Sequence, residues 1–398
     1  MSTAAKIMTD PAWDEAEHLI EAVIGDPSGP TLIVVGSLHG NEPAGATALE
    51  QVADTLIKAT AKVAGRVYFL RGNGRALQRS VRYIDSDLNR AWTNKNMAAV
   101  GTDEIMQTSE GRELTELDQL LDSILITARS EVYVLDLHST SATGPLFATV
   151  GDTLRNREFA KKFPVNILLG IEEQLEGTML EYLSSAGAVT LGFEGGSHFS
   201  PETVANHTAL VWLALVNTGL LKPTDIPGLD EHRLRLAEGA KGPRFIEIRY
   251  REAITPEDEF QMRPGFNNFD LVEEGDVLAY STRGPIKAPE SGMIVMPLYQ
   301  KLGEDGFFVA RYIAPFWLWL SRLLRHGKAY RLMPLLPGVK RDPAAETTLI
   351  INTRLARFFP LQIFHLLGFR KLRWSEHQLV VSRRKHDTVS PFVSGTNN

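Results

Sequence analysis

An α/β layer fold carrying a β-rich unit and a basic extension is predicted by three observations. Short apolar runs alternate with helical-period segments up to about residue 218. Beyond Lys222-Pro223 the segments shorten and become β-rich between Gly and Pro turns. From Arg311 onward the charge changes sign: 15 Lys+Arg face only four acids, whereas residues 1–310 hold 27 Lys+Arg against 44 Asp+Glu. A body of −17 thus carries a tail of +11, a split that the overall charge of −6 hides. At about 150 residues per domain the length fits two to three domains, placed by these shifts at 1–222, 223–310 and 311–398.

The elements follow in order. Thr31–Gly36 (TLIVVG), after Gly29-Pro30, is a short apolar run of the kind buried on both faces. An Ala-rich helix is expected from Ala44 to Ala61, and Arg66–Leu70 is a second strand closed by Gly72-Asn73-Gly74. In Glu110–Ala128, Leu114, Leu117, Leu121, Ile124 and Leu125 recur at helical spacing. Glu131–Asp136 and Ala188–Phe193 are further strands. Ser200-Pro201-Glu202 supplies a cap, a first helical position and an acidic first turn for Thr203–Val216. From Arg244 to Arg311 the short segments predict a small all-β domain.

Composition narrows the chemistry. With 43% hydrophobic and 23% charged residues the chain can bury a sizeable core, and the absence of Cys removes disulfides, thiolate metal sites and a cysteine nucleophile. A metal site must therefore draw on His, Asp and Glu. The N-terminus lacks a basic start followed by an apolar run, so no signal peptide is read and a cytoplasmic location is expected. The most apolar stretch, Ile313–Leu324, is far short of the about 20 residues needed to span a bilayer.

Unusual polar residues cluster at strand ends, where α/β proteins gather their chemistry. His39 and Glu42 lie three apart on one turn, and His138 arrives from another strand end. His, Glu and His would make a three-ligand zinc site with a fourth position open for water; taken singly, each His reads first as a capped or core residue, and it is the combination at separate strand ends that favours the metal. Asp136 is placed to accept the proton of the His138 nitrogen facing away from the metal, or else bonds nearby backbone. Glu194, before two glycines, suits proton transfer from water to a leaving amine. Asn89-Arg90 pairs a neutral donor with a planar fork suited to a substrate carboxylate. Arg82 could stabilise an oxyanion; the bland reading pairs these arginines with Asp85 and Asp87.

Together, His39-Gly-Asn-Glu42, Arg82-Tyr-Ile-Asp-Ser-Asp-Leu-Asn-Arg90, Asp136-Leu-His138 and Glu194-Gly-Gly resemble the succinylglutamate desuccinylase/aspartoacylase family, relatives of the zinc carboxypeptidases. The resemblance spans roughly residues 30–310. It implies a zinc carboxypeptidase-like mixed sheet flanked by helices, with one Zn2+ per chain on His39, Glu42 and His138. It also implies Glu194 as general acid/base, Arg82 polarising the carbonyl, Asn89 and Arg90 holding a carboxylate, and Asp87 and Asp136 supporting the ligands from behind. The stretch Gly275–Pro297 resembles the family's C-terminal β domain, similar in pattern to biotinyl and lipoyl carriers; Met293-Ile-Val-Met296 offers no Lys to modify, so a carrier role is rejected. Animal aspartoacylases place a substrate-contacting Tyr just before the residue equivalent to Pro297, where this chain has Met296, and Tyr299 nearby has no assigned role.

The expected function is hydrolysis of the amide bond in a small carboxylate-bearing N-acyl compound, most simply an N-acyl amino acid. The alternatives are a carboxypeptidase-like hydrolase of short peptides and a non-catalytic binding protein retaining the fold. A homo-oligomer stays open.

The tail extends past the resemblance. Ala314–Gly327 mixes two Trp with arginines, and Phe358–Phe369 precedes Arg370-Lys-Leu-Arg373. Such a basic amphipathic segment can make peripheral contact with an anionic membrane. The acidic body offers an internal partner, so the aromatics are expected to pack onto it or onto a second subunit, with the charges solvated. No nucleic-acid-binding motif accompanies the charge, and none is expected as a partner.

Overall fold

The strand β2 (Thr31–Gly36) is buried at every position because both faces of its sheet are covered. Leu32 and Val34 join one apolar layer with Leu49, Val52 and Leu56 of helix Ala44–Lys58 and Leu210 and Leu213 of helix Pro201–Asn217. Ile33 and Val35 face the other layer, with Leu114, Leu117, Leu121 and Ile124 of helix Ser109–Thr127. The period-2 alternation of one strand and the helical spacing of the other elements thus meet in two layers. Ser200 caps helix Pro201–Asn217, its side chain accepting from the Glu202 amide.

The computed structural model describes residues 18–59, 62–198, 200–300, 302–343, 345–355, 361–375 and 378–393. The N-terminal segment read for targeting, the expected helix end at Ala61 and Phe358–Pro360 lie outside them. No helix among the described residues is long and apolar enough to cross a membrane.

The main sheet has 11 strands. Its order is β1 (Leu19–Ile24), β3 (Arg66–Arg71), β2, β4 (Val132–Thr140), β7 (Val189–Ser197), β5 (Phe147–Val150), β6 (Asn166–Leu169), β8 (Phe245–Ala253), β14 (Asp305–Tyr312), β13 (Gly292–Val295) and β10 (Leu271–Val272). β3, β2, β4 and β7 run parallel, β1 and β5 are antiparallel to their neighbours β3 and β7, and the last four strands pair antiparallel. The sheet is mixed and flanked by helices, as the resemblance implies. The β-rich segment does not stand apart from it: β8 bonds β6, and β14, β13 and β10 extend the same sheet. Its own small sheet comprises β9 (Gln261–Met262), β11 (Val277–Ser281) and β12 (Gly284–Lys287).

The basic tail forms helix Pro315–His326 and a four-stranded sheet of β15 (Val339–Asp342), β16 (Ala345–Asn352), β18 (Gln378–Arg383) and β17 (Phe369–Ser375). It is locked to the body by ion pairs. Arg325, whose side chain is 0% exposed, donates to Asp152 Oδ2 of the body at 2.8 Å, and to Asp387 Oδ1 of the tail itself at 3.2 Å. Arg384 reaches both Glu172 and Glu173 at 2.8 Å. Within one chain the expectation for the tail is met by its charges and by the burial of Phe364 and Phe369, though in the tail's own core, and not by the aromatics of helix Pro315–His326. Basic groups do find the acidic body, but they go inside, while Phe316, Trp317 and Trp319 remain exposed. The reason is the buried Asp152, which holds Arg325 inward and turns the opposite helix face to solvent.

Candidate metal centre and active site

Three parallel strand ends build the site. After β2 the chain turns through Ser37, at φ 61°, and the Ser37 hydroxyl donates to the Glu42 carbonyl at 2.9 Å. That turn aims both His39 and Glu42 inward. Gly40 is required there: a Cβ would lie 2.2 Å from the Ala76 carbonyl carbon and 2.5 Å from the Val81 oxygen. His138 and Glu194 come from adjacent strands β4 and β7, where they are register partners.

The donor atoms converge. His39 Nδ1 lies 2.9 Å from Glu42 Oε1, and His138 Nδ1 lies 3.2 Å from Glu42 Oε2, with the two rings 5.1 Å apart. Behind them, His39 Nε2 faces Asp87 Oδ1 at 3.1 Å and His138 Nε2 faces Asp136 Oδ2 at 2.7 Å. A neutral ring that donates its Nε2 proton to the carboxylate behind it presents a bare Nδ1 lone pair to Glu42; on His39, Nε2 also lies 2.9 Å from Arg82 Nη2, a donor that competes for that position. Two lone pairs opposite two carboxylate oxygens call for a cation between them, and His, Glu and His within 4.8 Å suit Zn2+. Burial by itself would raise the Glu42 carboxyl; positive charge facing it, supplied by His39 and His138 when protonated, holds it well below the usual range, so the position favours a cation.

Glu194 stands beside this group with its Oε2 buried and without a hydrogen-bond partner. Burial, reinforced by Glu42 and Asp136 and opposed by His138 and His39, pushes its carboxyl up to about 7. An acid poised near neutrality can both accept and return a proton. Gly195 is needed beside it, since a Cβ would meet the His207 ring at 2.4 Å. Arg82 pairs with Asp87 Oδ2 at 2.8 Å, while its Nη1 stands 3.7 Å from Glu42, outside hydrogen-bond range.

A family model, the succinylglutamate desuccinylase/aspartoacylase catalytic domain, matches residues 28–217, which include every residue just described. The match assigns residues 28–217, just under half of the chain, to the succinylglutamate desuccinylase/aspartoacylase family. It is similar to an N-acyl-aromatic-L-amino acid amidohydrolase (carboxylate-forming) of Xenopus laevis, 25% identical over 63% of this chain and 87% of the relative. A succinylglutamate desuccinylase of Pseudomonas paraeruginosa is 29% identical over 28% of this chain and 32% of that protein. The solved succinylglutamate desuccinylase of Vibrio cholerae has a TM-score of 0.55 at 20% identity, covering 73% of this chain and 84% of that one; at that identity the likeness is one of fold.

The cluster of His39, Glu42 and His138 opens onto a cavity of about 320 Å³, lined by His39, His138 and Glu194, with Asn89 and Arg90 on its wall. Arg90 is already engaged: its Nη2 donates to Asp305 Oδ2 at 2.7 Å and its Nη1 to the Asn89 carbonyl at 2.9 Å. Its buried Nε has no hydrogen-bond partner and remains a donor. Asn89 accepts the Met179 amide at 3.1 Å through Oδ1. Met296 also lines the cavity, whereas the Tyr299 hydroxyl is committed to the Arg263 and Phe266 carbonyls at 3.1 and 3.0 Å.

Three contributors escaped sequence reasoning. Asp305 holds both Arg90 and Arg251. Glu110, 1% exposed, accepts the amides of Ile84 at 2.7 Å and Asp85 at 2.8 Å and so pins the loop bearing Arg82 and Asp87. His207 donates through Nε2 to the His138 carbonyl at 2.9 Å; burial lowers its pKa to about 4, keeping it neutral there. Only Glu110 left a signal, as an acid in the first turn of a helix, and that signal reads first as a helix-dipole residue.

Proposed function

We propose that this protein is a zinc-dependent amidohydrolase that removes the acyl group from an N-acyl amino acid. The observation that carries the reading is the facing of two His Nδ1 atoms onto Glu42, beside an unpartnered buried oxygen of Glu194, on one cavity. The relatives' names, an amidohydrolase of N-acyl-aromatic amino acids and a succinylglutamate desuccinylase, support the same reaction class.

His39, Glu42 and His138 would hold the zinc, which supplies Lewis-acid polarisation of the scissile carbonyl and acidifies water. Glu194 takes a proton from the attacking water as its oxygen bonds the carbonyl carbon. It returns that proton to the amide nitrogen as the C–N bond breaks, leaving a carboxylate and an amine. Arg82 offers its free Nη1 to the developing oxyanion. Arg90, through Nε, and Asn89 orient the substrate carboxylate from the cavity wall.

A hydrolysis screen over acetyl-, succinyl- and longer-chain N-acyl amino acids, including aromatic ones, with dipeptides alongside and zinc present, tests the reading. Release of free amino acid from acylated substrates is expected. Turnover confined to dipeptides would make the protein a carboxypeptidase-like enzyme, and no turnover of either class would overturn catalysis.

A further inference from the structure

Helix Pro315–His326 is inside out. Ser321 and Arg325, each 1% exposed, face the protein, while Phe316, Trp317, Trp319 and Leu323 are 49–59% exposed. Phe316, Trp319 and Leu323 recur at i, i+3 and i+7, so they form one outward stripe. The Phe316 ring lies 5.3 Å from Trp317 and 5.9 Å from Trp319, making a continuous aromatic surface.

The helix cannot roll to hide that stripe. Arg325 donates to the Asp152 and His365 carbonyls at 2.7 Å besides its two carboxylate partners, and the Ser321 hydroxyl donates to the Leu366 carbonyl at 2.8 Å. Rolling would take one positive partner from each of the buried Asp152 and Asp387 and carry Arg325 away from all its acceptors. The following turn, Ala329–Leu335, packs against the helix and leaves Leu332 and Leu335 exposed as well.

The charge around the stripe selects the occupant. Residues 311–341 hold seven Lys+Arg and no Asp or Glu. Arg322, Lys328 and Arg331 are exposed there; Arg322 also reaches Glu158 at 3.6 Å. A second copy of this chain is disfavoured, because a two-fold interface would set the exposed Arg322, Lys328 and Arg331 against their own copies. Indole rings beside lysine and arginine suit the headgroup layer of an anionic bilayer, where the rings enter the interface and the cations meet phosphate.

We propose that the face formed by Phe316, Trp317, Trp319 and Leu323, with its basic flank, docks the protein on an anionic phospholipid surface. This does not depend on the catalytic reading. The full chain is co-sedimented with vesicles of phosphatidylcholine alone and of equal parts phosphatidylcholine and phosphatidylglycerol, with tryptophan emission recorded. Binding to the anionic vesicles alone is expected, with a blue shift, and weakening as salt rises. The triple variant F316S/W319S/L323S should bind about tenfold more weakly or worse while keeping its melting temperature. K328Q/R331Q, which leaves the stripe intact, should lose roughly fivefold per charge removed. Failure to bind either vesicle, or wild-type binding by both variants, overturns the proposal. So does a concentration-dependent dimer that the triple variant dissociates, since the stripe would then be a contact between copies.

Discussion

His138 and Glu194 are register partners on the adjacent parallel strands β4 and β7. Neighbouring strands are about 4.8 Å apart, so the sheet itself sets the distance between the proposed metal ligand and the proposed proton carrier. A rigid strand pair holds that geometry better than a loop would.

Glu194→Gln keeps the shape and removes the proton acceptor. It should retain one zinc per chain by metal analysis and lower kcat by about 10²–10⁴-fold. Unchanged kcat would remove Glu194 from its role, and loss of zinc would make it part of the metal centre.

Asp136→Asn and Asp87→Asn each take the carboxylate from behind one histidine. Zinc affinity, measured by competition with a chelator, should fall about 10–100-fold for either variant. His39 and His138 would then no longer be held in the tautomer that turns Nδ1 toward Glu42.

Arg325→Met leaves Asp152 and Asp387 buried with one fewer positive partner. The variant should be destabilised by about 3–5 kcal/mol in denaturant unfolding, a large cost for a residue outside the catalytic cavity. Ending the chain after residue 310 should be worse, because it cuts into β14 and strips Arg384 from Glu172 and Glu173 as well. A stable, zinc-loaded body after that truncation would show that the tail is an appendage.

Stability should also decline in mild alkali. Burial by itself would lower the His365 pKa, but its pairing with Glu173 at 2.9 Å, helped by Glu247, pushes it up to about 9 from 6.5. A raised folded-state pKa means the stabilisation is complete below about pH 6.5 and disappears as pH rises through about 9. Melting temperatures between those limits should fall in the native protein, and His365→Gln should flatten that part of the profile. Parallel profiles for the two proteins would exclude His365 as the cause.

The clustering of His39, Glu42 and His138 was legible because these residues carry their own context. His39 and Glu42 share one turn after an apolar run, and Asp136 and His138 lie two apart on one strand, so local spacing alone brings each pair to a common side. Asp305 and Glu110 were not legible: one acts on Arg90 from a strand far along the chain, the other through backbone amides, and neither leaves a spacing to read. The continuity of the β-rich segment with the main sheet was hidden for a similar reason, since β8 looks the same whether its edge is free or bonded to β6.

The sequence by itself determined the α/β layers, the strand ends that bear the polar residues and the charge inversion at Arg311, all of them set by local periodicity and composition. Only the tertiary structure decided which face of helix Pro315–His326 turns inward. Amphipathic spacing alone would bury Phe316, Trp319 and Leu323; the carboxylates of Asp152 and Asp387 instead claim Arg325, because taking a positive partner from buried carboxylates costs more than an exposed aromatic stripe.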